Sequence, residues 1–303
     1  MKPTDRQTVA YDLSGIDPAR HVLIAGPTAS GKSALALQIA QTQGGLIVNA
    51  DALQVWSCWR VLTARPSPAD EAAAPHRLYG HVEPTRSYSV GDWLVDVQNL
   101  LQGGQRLVIV GGTGLYLTTL TRGLAVIPPV PPEIRAKGDA WLASGGLSDM
   151  VAALDDRTRA GLDTLNPARV QRAWEVLTAT GRGLVDWQAD TPPPLIAPED
   201  ATRIVLTSDR DWLADRIARR FAQMVEHGAL DEVAQNLPQW QPTAQWARAI
   251  GAPELVRHLR GETTLKAAID SAIIATRQYA KSQRIWFRNR MKDWTTLNVG
   301  PDL

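Results

Sequence analysis

A glycine-rich octapeptide at residues 26–33, Gly-Pro-Thr-Ala-Ser-Gly-Lys-Ser, constrains the fold more than any other part of this sequence. An apolar run precedes it at residues 22–25, and a stretch with helical spacing follows at residues 34–40. Between a strand and a helix, the pattern G-x-x-x-x-G-K-[ST] forms a loop whose backbone N–H groups converge on an anion. The positive end of the following helix adds to the attraction. The sequence therefore predicts a polyphosphate site.

Each position of the octapeptide has a predicted part in that site. Glycines at its first and sixth positions permit the tight turn. The lysine reaches the outer phosphate as a point charge, and the last hydroxyl, Ser33, is placed to hold Mg²⁺, the expected cofactor. An ordinary glycine turn would leave the flanking strand and helix unexplained. The predicted phosphate-binding residues are Gly26, Pro27, Thr28, Ala29, Ser30, Gly31, Lys32 and Ser33.

Composition places the chain among ordinary globular proteins, with 44% hydrophobic and 21% charged residues in a length of 303. Cys58 is the single cysteine and cannot form an intrachain disulfide, which suits a reducing cytoplasm. No stretch approaches 18 uninterrupted apolar residues, so we expect no membrane association. The formal net charge is only +1. However, residues 271–292 contain six Arg or Lys and no Asp or Glu, which marks a candidate polyanion-binding surface.

Four short apolar runs, at residues 22–25, 46–50, 107–110 and 203–207, are separated by stretches of helical character. This pattern is typical of buried parallel strands. We therefore predict an α/β fold with a P-loop-type, doubly wound parallel sheet as its core.

Proline clusters at residues 127–132 and 191–194 bracket a segment of helix-like sequence. We interpret residues 126–200 as a helical insertion domain. Residues 20–125 and 201–303 then form the core, and the chain after the fourth strand is predicted to be helical. The insertion has 7 basic and 11 acidic residues.

Two strand ends should face the phosphate loop, because ligands of open α/β sheets bind beyond the carboxyl ends of the strands. Asp51 follows the second strand. It is either a helix cap or a general base or Mg²⁺ partner. The third strand ends in Gly-Gly-Thr-Gly at residues 111–114, which is either a plain turn or a second phosphate contact in which Thr113 donates a hydroxyl.

Four basic residues near the C-terminus, Arg277, Lys281, Arg284 and Arg288, recur at the spacing of one helical face. Such a stripe is either a solvated face or a set of fixed positive charges for phosphates, with Trp286 available for packing or stacking.

Taken together, these segments resemble the bacterial tRNA dimethylallyltransferases, also called tRNA isopentenyltransferases. The matching segments run in the family's order along nearly the whole chain, which makes the resemblance specific. They are residues 26–33, 49–54, 63–66, 75–78, 88–89, 111–116, 169–176, 249–251 and 276–288.

The resemblance implies transfer of a dimethylallyl group from dimethylallyl diphosphate to N6 of adenosine 37, in tRNAs reading codons that begin with U. In the family pattern Asp51 takes a proton from the N6 amine and Thr113 contacts the reacting centre. Lys32 would neutralise the negative charge that develops on the leaving diphosphate. Arg277 is a further expected diphosphate ligand. The family also suggests a monomer.

The resemblance further implies that the insertion binds the anticodon stem. The expected tRNA-contacting residues are Asp51, Ala52, Leu53, Gln54, Thr113, Arg135, Ala168, Arg169, Val170, Gln171, Arg172, Arg248, Lys281 and Arg284. The sequence departs from the usual family residues at Ala52, Ala252 and Ser282, which affects these contacts and leaves the catalytic positions intact.

Three other functions share parts of this pattern. A P-loop kinase of small metabolites would use the same loop for ATP. An adenylate isopentenyltransferase would prenylate free AMP, although the insertion and the basic stripe favour a large RNA. A non-catalytic RNA-binding module would need neither Asp51 nor Lys32.

Overall fold

The computed structural model describes residues 11–300, and within them six strands form one parallel sheet. The strands are β1 His21–Ala25, β2 Leu46–Asn49, β3 His76–Arg77, β4 Leu107–Gly111, β5 Ala201–Ser208 and β6 Thr295–Val299. Their order across the sheet is β3-β2-β4-β1-β5-β6. Strand β1 therefore lies between β4 and β5, with Val22 in register with Val108 and Thr202. This central position places the loop after β1 in the middle of the sheet's carboxyl edge.

Helices connect the strands. Those before the predicted insertion are α1 Lys32–Gln43, α2 Pro68–Ala73, α3 Val90–Gln102 and α4 Gly114–Arg122. The next are α5 Pro132–Ala143, α6 Leu147–Ala152, α7 Asp156–Gly161, α8 Pro167–Thr180 and α9 Leu184–Ala189. The last are α10 Arg210–Glu226, α11 Ala229–Asn236, α12 Ala252–Leu259 and α13 Leu265–Arg290. No helix within residues 11–300 combines the length and apolarity needed to cross a bilayer.

The α/β fold class is confirmed, and two edge strands were missed from the sequence. Strand β3 has only two residues, too few to form a pattern. Strand β6 reads Thr-Thr-Leu-Asn-Val and is mostly exposed at the sheet edge, so it lacks the continuous apolar run of a central strand. The expectation that the chain is helical after β5 is therefore wrong for Thr295–Val299.

The buried strands expose neither face of the sheet. Ile24 and Val108 pack with Leu35 and Ile39 of α1 in one hydrophobic cluster. Successive side chains of a strand point to opposite faces, so Leu23 projects from the other face, where it is also fully buried. Burial on both faces is what a doubly wound sheet requires.

The described chain forms two compact units, one of residues 11–121 and 196–300 and one of residues 122–195. In the second unit α5 and α6 both pack against α8, and α7 packs against α9. Met150, Val170 and Val176 form part of its buried interior. Trp141 and Trp174 meet edge to face with their ring centroids 5.4 Å apart.

Candidate active site

The loop between β1 and α1 has the backbone of an anion cradle. Gly31 has a φ of 92° and Ala29 a φ of 64°, both in the left-handed region that turns backbone amides inward. That conformation costs a non-glycine residue about 1 kcal/mol, so Ala29 must be held by its surroundings. Arg216 of α10 supplies such a contact, because its Nε donates to the Ala29 carbonyl at 2.9 Å.

Steric crowding explains why positions 26 and 31 of this loop are glycines. A Cβ at position 26 would lie 2.8 Å from the Ser30 hydroxyl oxygen. A Cβ at Gly31 would lie 2.7 Å from the Tyr11 hydroxyl, which donates to the Gly31 carbonyl at 3.4 Å. A side chain at either position would displace a neighbour that borders the cradle.

Asp51 lies at the carboxyl end of β2 and is only 9% exposed. The Asn49 side chain fixes its backbone, donating to the Asp51 carbonyl at 3.0 Å and accepting from its amide at 2.9 Å. One carboxylate oxygen accepts from the Leu53 amide at 3.0 Å, which closes a turn. No helix begins between residues 50 and 67, so the helix-cap interpretation of Asp51 is wrong. The carboxylate instead borders an open cleft.

The second glycine segment, residues 111–114, makes room for protein rather than leaving an open phosphate cradle. A Cβ on Gly111 would lie 2.0 Å from the Ala50 carbonyl oxygen, and one on Gly114 would lie 2.2 Å from Trp286. The glycines therefore let the backbone after β2 and the side chain of Trp286 in α13 approach this segment closely. The Thr113 hydroxyl accepts from the Ala52 amide at 2.9 Å, which places it beside Asp51.

Gln283 of α13 links this segment to the phosphate loop. Its Oε1 accepts from the Thr28 amide at 2.9 Å, and its Nε2 donates to the Gly112 carbonyl at 2.9 Å. The side chain is buried, so these hydrogen bonds are not exchanged with water. Helix α13 is thus fastened both to the phosphate loop, which lines the cleft, and to the glycine segment after β4.

The cleft is open to solvent, and the space within it amounts to about 700 Å³ when the open solvent region is included. Thr28, Lys32, Ser33 and Arg220 make one portion of the wall polar and cationic. The hydroxyl side chains of Thr63, Thr276 and Tyr279 also border the cleft. Its apolar lining consists of Leu53, Leu62, Ile217, Phe221, Met224 and Ile250. Such a cavity suits a ligand with an anionic head and a short hydrocarbon group.

Burial dominates the electrostatics of the cleft. It lowers the pKa of Lys32 to about 8, although Asp51 acts in the opposite direction, and Arg220 lowers that pKa further. Burial likewise lowers the pKa of Arg220, and the negative charge of Asp51 raises it. Burial, followed by the charge of Asp51, raises the pKa of the Tyr279 hydroxyl. A carboxylate and two desolvated cations thus face one another, and an incoming anion would relieve the repulsion between the cations.

The sequence profile of the IPP transferase family matches residues 54–290. The chain belongs to this family. Its relatives include proteins named tRNA dimethylallyltransferase from Paracoccus denitrificans and Dinoroseobacter shibae. The first is 64% identical over 294 residues, covering 95% of this chain and 97% of the relative. The second is 63% identical over 292 residues, covering 95% and 98%.

Solved structures of IPP transferases have the same fold. The full-length tRNA isopentenylpyrophosphate transferase from Bacillus halodurans is 30% identical, with a TM-score of 0.66 over 94% of this chain and 92% of that one. A eukaryotic dimethylallyltransferase acting on tRNA is 25% identical, with a TM-score of 0.76 over 92% and 73%. The resemblance drawn from the sequence motifs is confirmed, and the chain is a prenyl-transferring enzyme rather than a small-molecule kinase.

The structure brings many of the predicted core site residues together. Thr28, Ala29, Lys32, Ser33, Asp51, Leu53 and Gln54 all line the cleft. Arg277 lies on the exposed surface of α13, where its guanidinium donates to the Ala214 carbonyl at 3.4 Å. Arg248 and Lys281 are exposed as well, and Arg284 is half-buried.

In the insertion unit, several predicted tRNA-binding residues gather around Glu175, whose side chain is almost completely buried. Arg135 pairs with it at 3.1 Å and Arg172 at 3.9 Å, and the Gln171 amide donates to it at 3.0 Å. Ala168 and Arg169 are exposed, whereas Val170 lies in the interior of the unit.

Three residues at the site, Arg220, Tyr279 and Gln283, were not predicted from the sequence. A signal existed for Arg220, because Arg216 and Arg220 lie four residues apart beside the apolar stripe of α10. Tyr279 and Gln283 lie between the basic residues of α13 and have no pattern of their own. Only the fold shows that they face the glycine loops.

The lowered pKa of Lys32 predicts a proton linkage. In the free protein Lys32 loses its proton above about pH 8, whereas a bound diphosphate favours the ammonium form. Binding of inorganic diphosphate should therefore take up a proton at Lys32 above about pH 8, and affinity should fall as the pH rises. Titration calorimetry at pH 9 in buffers of different ionisation enthalpy measures this uptake.

The matched variant is Lys32→Arg, which keeps the charge and does not titrate in this range. Because diphosphate itself exchanges protons, the difference between the two proteins isolates the lysine. The wild type should take up more protons, and equal uptake would contradict the prediction.

Proposed function

We propose that this protein transfers the dimethylallyl group of dimethylallyl diphosphate to N6 of adenosine 37, in tRNAs reading codons that begin with U. The observation that carries the proposal is the cleft, in which a cationic phosphate cradle, an apolar lining and the Asp51 carboxylate meet. A short prenyl diphosphate supplies the matching anion and hydrocarbon group. The names of the Paracoccus and Dinoroseobacter relatives support tRNA as the acceptor.

The cradle stabilises the leaving group. As the N6–C1 bond forms, the C1–O bond breaks and its electron pair departs with the diphosphate. Lys32, Arg220 and the loop amides of residues 29 and 31–33 are placed to neutralise that charge. The Thr28 amide instead donates to Gln283, and the Ser30 amide donates to the Pro27 carbonyl. Fixed donors in a largely desolvated site stabilise developing charge without reorganising.

Asp51 is the proposed general base. An exocyclic adenine amine is a weak nucleophile, so removal of its proton by a nearby carboxylate assists the attack. Asn49 and the Leu53 amide hold Asp51 at the cleft, and Thr113 orients the following residue through the Ala52 amide. We assign Thr113 a contact with the reacting centre.

The donor set fits Mg²⁺ that arrives with the diphosphate. Ser33 presents a hydroxyl oxygen on the cleft wall, and no cluster of three or more His, Cys, Asp or Glu within residues 11–300 could by itself hold a metal. Mg²⁺ commonly takes one or two protein oxygens together with phosphate oxygens and water. When bound, the ion would supply further charge neutralisation to the diphosphate.

The target base must leave the anticodon-loop stack to reach a buried carboxylate. We propose that Arg135, Arg169 and Arg172 of the insertion contact the anticodon stem, largely through its shape and backbone. The exposed Lys281 and the neighbouring Arg284 would add positive charge toward phosphates. We also propose that the protein acts as a monomer in the cytoplasm, where a single unpaired cysteine stays reduced.

The proposed reaction is tested by incubating the protein with labelled dimethylallyl diphosphate and Mg²⁺, in parallel reactions that offer either free AMP or unmodified tRNA with adenosines at positions 36 to 38. Nucleoside digestion and mass analysis should place the label on N6 of adenosine 37. Label on free AMP instead would favour the adenylate enzyme. Label on neither acceptor would contradict the proposed transfer.

The variant Asp51→Asn tests the general base while keeping the shape of the side chain. We expect kcat to fall by about 100-fold or more, since an amide cannot accept the proton. Binding of dimethylallyl diphosphate, measured by calorimetry, should stay close to the wild-type value because the cradle is intact. Near-normal turnover of the variant would exclude Asp51 as the base.

A further inference from the structure

Glu232 of α11 makes a concentrated set of hydrogen bonds with the loop that follows Asp51. Its two carboxylate oxygens accept from three successive backbone amides, those of Arg60 at 2.5 Å, Val61 at 3.0 Å and Leu62 at 2.8 Å. Three successive N–H groups that point inward form a nest for an anion. Here the carboxylate of Glu232 takes the place of the anion. Hydrogen bonds to a carboxylate are stronger than hydrogen bonds between two neutral groups.

The loop is bound to neighbouring elements on the same side as Glu232. Asn236, one turn further along α11, donates to the Cys58 carbonyl at 3.2 Å. The buried Trp59 indole donates to the Trp246 carbonyl at 2.8 Å. Because residues 60–62 lie outside any helix or strand, their position depends on such contacts.

This loop forms part of the apolar wall of the cleft. Leu62 and Thr63 both line the cleft. Leu62 packs with Phe221 against the backbone of Gly251, where a Cβ would lie 3.1 Å from Leu62 and 2.7 Å from Phe221. The Glu232 carboxylate binds the amide of Leu62 itself, so it fixes the position of that wall.

We infer that Glu232 is a positioning residue that sets the size of the compartment for the prenyl group. The inference rests on the proposed function, since it assumes that the hydrocarbon group lies against Leu62. By holding residues 60–62 toward α11, the carboxylate fixes the depth of the compartment and thereby favours a five-carbon chain over a longer one. Glu232 does not line the cleft and acts only through the loop.

The base is anchored separately. Asn49 and Thr113 bind the backbone of Asp51 and Ala52, and neither contact involves α11. Gln54 is the link between the two parts of the loop, because its side-chain amide donates to the carbonyls of Thr63 and Ala64. Loss of the Glu232 charge should therefore change prenyl diphosphate binding much more than the chemical step.

The test compares Glu232→Gln and Glu232→Asp with the wild type, using steady-state transfer to tRNA from dimethylallyl and geranyl diphosphates. Glutamine keeps the volume of the side chain but places an NH₂ group, itself a donor, against the backbone amides of residues 60–62. Aspartate is one methylene too short to reach all three of these amides. The control is Asp231→Asn, which removes an exposed carboxylate from the same helix. Thermal unfolding of each protein accompanies the kinetics.

For both variants at position 232 we expect the KM for dimethylallyl diphosphate to rise about tenfold, the effect of losing one charge-assisted hydrogen bond. The kcat at saturation should stay within about twofold. The preference for dimethylallyl over geranyl diphosphate in kcat/KM should fall about tenfold, because a displaced wall admits a longer chain. The control should match the wild type in all three values.

Folded variants with wild-type KM and chain-length preference would overturn the inference, and so would a fall in kcat at unchanged KM. Failure of both variants to fold would also overturn it, since Glu232 would then serve stability alone. A wild-type protein that transfers neither prenyl group would instead refute the proposed function. Binding of the two diphosphates without tRNA, measured by calorimetry, still reports on the compartment in that case.

Discussion

The arrangement of this site depends on one buried amide. Gln283 accepts from the Thr28 amide in the phosphate loop and donates to the Gly112 carbonyl beyond β4. The two loops follow neighbouring parallel strands, so they already face the same edge of the sheet. The glutamine fixes their separation and couples both to α13. A Cβ at Gly112 would lie 2.2 Å from the glutamine nitrogen, so a side chain at this position would displace the amide.

This link has an electrostatic consequence. It holds the cradle, with its desolvated Lys32 and Arg220, next to the strand ends from which Asp51 and Thr113 project. Burial lowers the pKa of both cations; Asp51 raises both pKa values, while Arg220 lowers the pKa of Lys32 and Arg216 lowers that of Arg220. An anionic ligand would replace mutual repulsion by attraction, and the carboxylate would remain beside it as a proton acceptor. The apolar wall set by Leu62 completes a compartment for a short hydrocarbon group.

Sequence patterns predicted the parts of this architecture that follow from local chemistry. Continuous apolar runs identified the buried strands, and the octapeptide at residues 26–33 identified the cradle, because a tight loop between strand and helix needs particular residues. The edge strand Thr295–Val299 was missed since its exposed polar residues do not form a buried run. Arg220 has a spacing signal with Arg216 in the sequence of α10, whereas Gln283 has none, and the contacts of both with the site arise only when α10 and α13 are placed against the loops. Arg277 was expected to bind the diphosphate, but it lies on the exposed surface of α13 and does not line the cleft.

The single-turnover rate of Gln283→Met, a variant of similar volume that makes neither hydrogen bond, tests the role of this amide most directly. If the amide aligns the cradle with the base, the rate of transfer at saturating tRNA and dimethylallyl diphosphate should fall about 100-fold, the typical cost of a small misplacement of reacting groups. The variant should remain folded, as judged by its thermal unfolding. A folded variant with a transfer rate near that of the wild type would contradict the central role of this interaction.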